Sequence, residues 1–318
     1  MSTASYNCPC CCGGPLKFSG ESGKLECTAC GNNYEPEALE MMTPEESIDE
    51  ITFANDAKRF DTGEAGMRAY FCKNCGAELM TEDTTTAAEC PYCGSPTILP
   101  DRIEGGVKPE KVIPFVVTKE QAQKQFEDYF KGKKLLPNVF LNSRNRISEM
   151  RRLYVPYWLF SCDACADMVY DAEKVHTEQK GEWEITRTKH YLVRRRGGMR
   201  FENIPVDGSV KMDDKLTESL EPYDLSAAIP FQSAVLAGAM ADHADADCDT
   251  CEKRAVERSV EQTMLDTVRD YDTVNERSRR IVTERGSATP ALLPVWLMTT
   301  VKEGKTYTFA VNGQTGKL

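Results

Sequence analysis

Long apolar runs are what this 318-residue sequence most plainly lacks. A bilayer-spanning helix needs about 20 mostly apolar residues. The best stretch, 227–241, is shorter and is broken by Pro230, Gln232 and Ser233, so no membrane span is expected within the sequence. The start, Met-Ser-Thr-Ala-Ser-Tyr, has neither the basic nor the apolar segment of a secretory signal, and the reducing cytoplasm is the expected compartment. Histidine is scarce: His176, His190 and His243 are the three, and they are scattered. There is no His-Glu-x-x-His, no Gly-x-Ser-x-Gly and no phosphate loop, since the glycines and lysine of 20–24 and of 313–317 have the wrong spacing for one. The sequence offers no catalytic constellation, and the chain is expected not to be an enzyme. Cations are short in the first third. Residues 1–100 hold six Lys/Arg against sixteen Asp/Glu, a balance of −10 out of −11 for the whole chain. Such a module repels a phosphate backbone, which argues against nucleic acid as the partner.

Cysteine is abundant instead. All fourteen fall in Cys-x-x-Cys pairs or in the cluster Cys8-Pro-Cys10-Cys11-Cys12. Close pairs without a secretory signal favour metal or redox chemistry over a disulfide framework. The clearest set is Cys72-Lys-Asn-Cys75-Gly with Cys90-Pro-Tyr-Cys93-Gly, two knuckles about 15 residues apart. Each knuckle aims two thiolates at one point, and a hairpin between them closes a tetrahedron of four sulfurs at about 2.3 Å from a zinc ion. The first module offers Cys27 and Cys30, with Cys8 and Cys11 as partners from spacing; Cys12 is the alternative to Cys11, and Cys10 is spare. Thioredoxin-like redox chemistry would need one pair at a helix N-terminus in a βαβ frame, and these pairs come in twos without one. Two structural zinc ions are therefore expected. With four protein ligands each, they leave no position for water or substrate. A segment of about 35 residues is too small to fold on burial alone, so the metal replaces a core.

The expected organisation is a first zinc ribbon at 1–35, an acidic linker at 36–66 with a helical stretch near 45–60, a second ribbon at 67–100, and an α+β domain at 107–318 built on an antiparallel sheet. In the last domain, 112–117 reads as a strand. Thr118-Lys-Glu-Gln121 is a capping box that starts a helix over 119–131, with Phe126, Tyr129 and Phe130 on its apolar face and Gly132 after its end. Strands are expected at 154–170, 182–195 and 200–206, and a second hairpin at 292–300 and 305–312 with Glu303-Gly304 at its turn. A helix is expected over 247–271, where Val256, Val260, Met264, Val268 and Tyr271 recur on one face. Val155-Pro156-Tyr-Trp158-Leu159-Phe160 is echoed 138 positions later by Leu293-Pro294-Val-Trp296-Leu297-Met298. The echo suggests two related helix-plus-hairpin halves sharing one sheet, with chance similarity as the alternative.

Other signals read as structural. Cys162 and Cys165 with Cys248 and Cys251 could together make a third zinc site, but the first two would face opposite ways along a strand, so the reading preferred is four ordinary small side chains. Asp245-Ala-Asp247-Cys-Asp249 opens like a calcium loop but has Thr250 where glycine is needed and Val256 in place of the twelfth-position glutamate. Arg187, Lys189, Arg194, Arg195, Arg196 and Arg200 could touch anionic headgroups or an acidic partner. Pairing with the chain's own carboxylates on an edge strand is the reading preferred.

Several of these features carry a family resemblance. The two ribbons combine with Tyr154-Val-Pro156-Tyr-Trp158, Ile204-Pro205-Val-Asp207-Gly-Ser209, Glu221-Pro222-Tyr-Asp224, Leu293-Pro294-Val-Trp296 and Tyr307-Thr-Phe309-Ala-Val-Asn312-Gly313-Gln-Thr-Gly316-Lys317. As a set they resemble the bacterial "TFIIB-type zinc ribbon-containing" proteins, a family also labelled PriA-like helicase although no Walker motif accompanies the ribbons here. The resemblance implies a zinc-binding adaptor acting through protein–protein contacts. Its implied partners are SPFH (flotillin-like) or phage-shock-type proteins, at the inner face of the membrane during envelope stress. It also implies membrane contact through segments beyond residue 318. The acidic first module predicts a basic patch on the partner. A nucleic-acid-binding ribbon protein, in replication or transcription, is the alternative.

Overall fold

The structure is a computed structural model and describes residues 8, 15–40, 47–60, 67–82, 89–95, 98–101, 106–130, 150–246, 248–302 and 305–318. Its strands in chain order are β1 (Leu16–Ser19), β2 (Lys24–Cys27), β3 (Asn33–Tyr34), β4 (Ile48–Glu50), β5 (Phe53–Ala54), β6 (Met67–Cys72), β7 (Glu78–Glu82) and β8 (Ile98–Asp101). They continue as β9 (Lys111–Val112), β10 (Arg151–Lys180), β11 (Trp183–Asp207), β12 (Ile229–Pro230), β13 (Met240–Asp242), β14 (Thr273–Lys302) and β15 (Lys305–Asn312). The helices are α1 (Pro36–Glu40), α2 (Lys119–Phe130), α3 (Asp214–Ser219), α4 (Cys248–Val256) and α5 (Gln262–Asp266), with a π-helical turn at Glu257–Glu261 between the last two. Strands β1-β2-β3 form one sheet. The other runs β12-β9-β14-β10-β13-β7-β6-β8, with β11 on β10 and with β15, β4 and β5 on β14.

This is the sheet-rich, mostly antiparallel α+β class that the sequence predicts, with one difference. The short strands β13 on β10, and β4, β5 and β9 on β14, pair in parallel. Each contributes two or three residue pairs from a connecting segment. Such pairs give partners to long-strand amides and carbonyls that would otherwise lie unpaired at an edge. They also replace the helix expected near 45–60: Ile48–Glu50 and Phe53–Ala54 are extended instead. A β-branched and aromatic run (Ile48, Ile51, Thr52, Phe53) suits a strand, and Asp49 meets Arg279 at 2.8 Å while Glu50 meets Arg280 at 3.5 Å.

By contacts the chain divides into two units: residues 1–50, 164–199 and 260–282, and residues 51–163, 200–259 and 283–318. These lines differ from the expected series 1–35, 36–66, 67–100 and 107–318. The reason is that β10, β11 and β14 each lend part of their length to both units, and that β7 of the expected second ribbon pairs with β13 (Met80 with Ala241).

In the second unit the apolar runs of β10 and β14 are buried on both faces, which is why they read as continuous rather than alternating. Leu153, Val155, Tyr157 and Leu159 share one core with Leu293, Val295, Leu297, Tyr70, Leu79 and Tyr92. Tyr154 and Leu292 join Met80, Val112 and Leu236 in another. Trp296 and Met298 pack on Ala122 and Phe126 of α2. That helix starts on the predicted capping box: the Thr118 amide donates to Gln121 Oε1 at 2.8 Å and the Gln121 amide to Thr118 Oγ1 at 3.3 Å. Tyr129, expected on its apolar face, is half exposed, and Gly132 lies outside the described residues. Of the expected strand 112–117 only Val112 is strand, in β9 with Lys111, since Pro114 cannot donate to a ladder.

The two Pro-x-Trp strands make the same bonds at the same offset. The Gly208 amide donates to the Pro156 carbonyl at 2.9 Å, and the Gly313 amide to the Pro294 carbonyl at 2.8 Å. Asp207 Oδ1 accepts from the Ser209 amide at 2.9 Å, and Asn312 Oδ1 from the Gln314 amide at 2.8 Å. Leu153 and Tyr154 pair in parallel with Met240 and Ala241, while Ala291 and Leu292 pair in parallel with Lys111 and Val112.

Candidate metal centre

Three of the Cys-x-x-Cys-Gly segments fold into one local shape. The Gly31, Gly76 and Gly94 amides donate to the carbonyls of Cys27, Cys72 and Cys90 at 2.9, 2.8 and 2.9 Å. The amides of those cysteines donate in turn to the carbonyls of Asn32, Ala77 and Ser95 at 2.8, 2.9 and 2.9 Å. Each glycine sits at positive φ, +75°, +71° and +69° in order, which a residue with a Cβ adopts only at a cost. The sequence therefore dictates the turn, and the turn sets both thiols on one side.

In the second unit, β6 leads into the Cys72 knuckle and β7 leads out of it, while β8 follows the Cys90 knuckle and pairs back on β6. All four sulfurs of Cys72, Cys75, Cys90 and Cys93 then lie within 4.8 Å of one another. Across the knuckles, Cys72 Sγ is 3.6 Å from Cys93 Sγ and Cys75 Sγ is 3.6 Å from Cys90 Sγ. Four sulfurs placed tetrahedrally at about 2.3 Å from one ion stand about 3.8 Å apart. A disulfide would need about 2.05 Å, and these cysteines are free. The donor set, its spacing and its burial thus fit a metal ion with four thiolate ligands.

The electrostatics point the same way. Burial pushes the Cys75 thiol up to about 11 and Cys90 higher still. At Cys93 burial also acts upward, but the Asn74 side chain and the Ser95 amide outweigh it and bring the thiol down to about 7. Four thiolates can share such a volume only with a cation among them.

In the first unit, Cys8, Cys27 and Cys30 gather in the same way, with Cys8 Sγ 3.6 Å from Cys30 Sγ. The Ala29 amide points at Cys27 Sγ at 3.4 Å, and the Tyr34 hydroxyl lies 3.3 Å from Cys8 Sγ. The fourth predicted ligand, Cys11, and its alternative Cys12 lie outside the described residues, as does Cys10. The remaining pairs behave as side chains of their elements: Cys162 is buried and Cys165 exposed along β10, and Cys251 is buried on α4 with Cys248 half-buried. The basic stretch does pair internally, with Arg194 on Asp167 at 2.6 Å and Arg200 on Asp163 at 2.6 Å.

A polar cluster beside the second knuckle has no sequence signal of its own. Tyr92, between Cys90 and Cys93, donates from its hydroxyl to Asp242 Oδ2 at 2.5 Å, and the Ser209 hydroxyl donates to the same oxygen at 2.5 Å. Burial raises Asp242 to about 6 and, nearby, Asp207 to about 7. Perturbed carboxyls mark catalytic sites when they line an accessible cleft. These are 2% and 3% exposed, and Asp242 spends its oxygen on the chain's own hydroxyls. The cluster anchors the knuckle to β13 and to the turn after β11.

No helix among the described residues is long and apolar enough to cross a membrane. No family model matches the sequence, and no solved structure matches the fold. Among curated proteins the chain is similar to "Uncharacterized protein YdjG" of Bacillus subtilis (strain 168). The two are 36% identical over 317 residues, which cover 99% of this chain and 88% of that protein. Identity of that degree across both chains shows common descent, and the protein belongs to the YdjG family.

Proposed function

We propose that the protein is a non-enzymatic adaptor whose two cysteine modules each hold a structural zinc ion. The supporting observation is the closed geometry of Cys72, Cys75, Cys90 and Cys93, with Cys72 and Cys90 at 0% exposure. Four sulfur donors complete the shell of zinc, so the ion stiffens the fold and has no position for a substrate. In this reading Cys8, Cys27 and Cys30 bind the second ion with Cys11 or Cys12 as fourth ligand. The resemblance to TFIIB-type zinc ribbon proteins supports SPFH or phage-shock-type proteins as partners, on the cytoplasmic side of the membrane. The matched bonds of Pro156 with Gly208 and of Pro294 with Gly313 support two duplicated helix-plus-hairpin halves.

The test is a pull-down between the intact chain and an SPFH or phage-shock protein from the same organism, at low and at high salt, with bound metal measured on the same sample. Retention that weakens with salt and about two zinc ions per chain are expected. No retention at either salt would remove the adaptor reading. Sub-micromolar, salt-dependent binding of DNA or RNA in a gel shift would replace it with the nucleic-acid reading.

A further inference from the structure

The first unit contains an open cavity of about 610 Å³ that the metal centres do not use. Strand periodicity explains how it is lined. In β10, Ala164, Ala166 and Met168 are buried, so Cys165 and Asp167 project from the opposite face. On β11, Arg194, Arg196 and Gly198 share a face by the same period of two, and on β14 Arg280 and Val282 do so. Strand β10 lies between β14 and β11 in the sheet. One sheet face therefore carries arginines on both outer strands and one carboxylate on the middle strand, and all of these residues line the cavity.

The charges do not cancel. Three guanidiniums face one carboxylate in the lining, a surplus of about two positive charges. Asp167 is committed to Arg194 through two bonds, 2.7 Å to Nε and 2.6 Å to Nη2, and these hold its carboxyl below the ordinary range. Arg196 stands 3.9 Å from the same carboxylate with its side chain 80% exposed. Arg280 has Glu50 at 3.5 Å, both being well exposed, and a pair of that kind contributes little. Gly197 and Gly198 leave the strip between them without side chains, and nothing lies within 4 Å of the place a Cβ on Gly197 would take. A volume of this size is that of a small-molecule site, roughly 300–1,000 Å³ in general.

We propose that this cavity binds a phosphate monoester, with the phosphoryl oxygens between Arg196 and Arg280 and the organic part against Gly197, Gly198 and Val282. A phosphate monoester carries about −1.5 to −2 charges at pH 7, which matches the surplus, and guanidinium forks suit its oxygens. Asp167 holds Arg194 against the sheet and keeps the site from being purely cationic. The phosphate has two possible sources, a free ester or the phosphomonoester headgroup of phosphatidic acid, and the chemistry of recognition is shared.

Titration calorimetry on the intact metal-loaded chain at low ionic strength, with inorganic phosphate and with glycerol 3-phosphate, tests this. One saturable site per chain is expected, weakened at least tenfold in Arg196→Ala/Arg280→Ala. It should stay within twofold in Arg269→Ala, which removes an exposed arginine of the same unit that pairs with Asp266. Flotation with phosphatidic acid and with phosphatidylcholine vesicles separates the sources. Saturation by the soluble ester without flotation assigns a free ester. Flotation with phosphatidic acid alone, abolished in the double variant, assigns a headgroup. Neither saturation nor flotation, or binding that the double variant retains in full, overturns the proposal. Unchanged metal content and circular dichroism in both variants keep a folding defect from imitating its success.

Discussion

Asp207 and Asn312 occupy matching places and show what a single atom does there. Asn312 uses both ends of its amide: Oδ1 accepts from the Gln314 and Thr315 amides at 2.8 and 2.9 Å, and Nδ2 donates to the Leu220 carbonyl at 2.9 Å. Asp207 has the same turn through Oδ1, but its Oδ2 is buried without a hydrogen-bond partner. Burial lifts its carboxyl to about 7, against an ordinary value near 3.9. The native state therefore keeps a proton that the unfolded chain has already lost at neutral pH. Stability from this group is full below about pH 4 and is lost progressively as pH rises from there through about 7. Between pH 6 and pH 8 the loss amounts to about 1.4 kcal/mol. Asp207→Asn removes the titration while keeping the shape. Urea midpoints at pH 6, 7 and 8, with metal in excess, should fall with pH more steeply in the parent than in the variant. Thiol deprotonation at the metal sites acts on both proteins alike, so equal slopes would refute the assignment.

Among the elements, the knuckle turn is the one whose cost can be isolated. A Cβ on Gly94 would meet nothing within 4 Å, so the whole penalty of Gly94→Ala comes from φ at +69°. That penalty is about 1–2 kcal/mol, and Gly94→Asn should lose less because asparagine tolerates the left-handed region. Gly286→Ala should cost more than either, for a steric reason: its Cβ would run into the Thr52 carbonyl and come within 2.8 Å of the Phe53 ring. Denaturant melts of the three variants give the order, and a Gly94→Asn loss equal to that of Gly94→Ala would remove the backbone explanation. These turns were readable from the chain because Cys-x-x-Cys-Gly is a local code. The start of α2 was readable for the same reason, its capping box being four consecutive residues. The apolar runs at 153–160 and 291–298 marked the two buried strands. Their charged extensions left no such mark. Residues 273–282 are rich in arginine and glutamate, yet they are strand because Arg277 meets Asp171 at 3.0 Å and Arg279 meets Asp49 at 2.8 Å, partners far away in sequence. The expected strands 182–195 and 200–206 are likewise one, and β11 runs unbroken from Trp183 to Asp207. The expected single helix over 247–271 has the predicted buried face at Val256, Val260, Met264 and Val268. It widens to a π turn at Glu257–Glu261, where the Ser259 hydroxyl donates to the Ala255 carbonyl at 2.5 Å, and α5 ends at Asp266. Asp242, which anchors the second knuckle, could not have been found without the fold, because it reaches Tyr92 across 150 positions.

At the scale of the whole molecule, the two candidate metal centres differ in what they would support. The first belongs to a sheet of three short strands that shares no pairing with the larger sheet among the described residues. The second is built into the larger sheet through β7 on β13, and Cys72 and Cys90 belong to the same core as Leu153, Tyr157 and Leu293. Loss of the second ion should leave buried thiols without their cation inside that core, whereas loss of the first should leave that core as it is. Trp158 and Trp296 are buried in the second unit, and Trp183, at the tip of the β10–β11 hairpin, is 77% exposed. Tryptophan fluorescence therefore reports chiefly on the second unit. Cys27→Ala should lower bound metal from two equivalents to one and leave the fluorescence-detected urea transition nearly in place. Cys90→Ala should remove one equivalent as well, but should move that transition to lower urea by at least about 3 kcal/mol, the scale of losing a structural metal or opening a core. Equal shifts in the two variants would mean that the centres do not have the separate roles their surroundings give them. A parent protein that holds no metal while its transition stays sharp would mean that the sulfur clusters are not what holds these turns together.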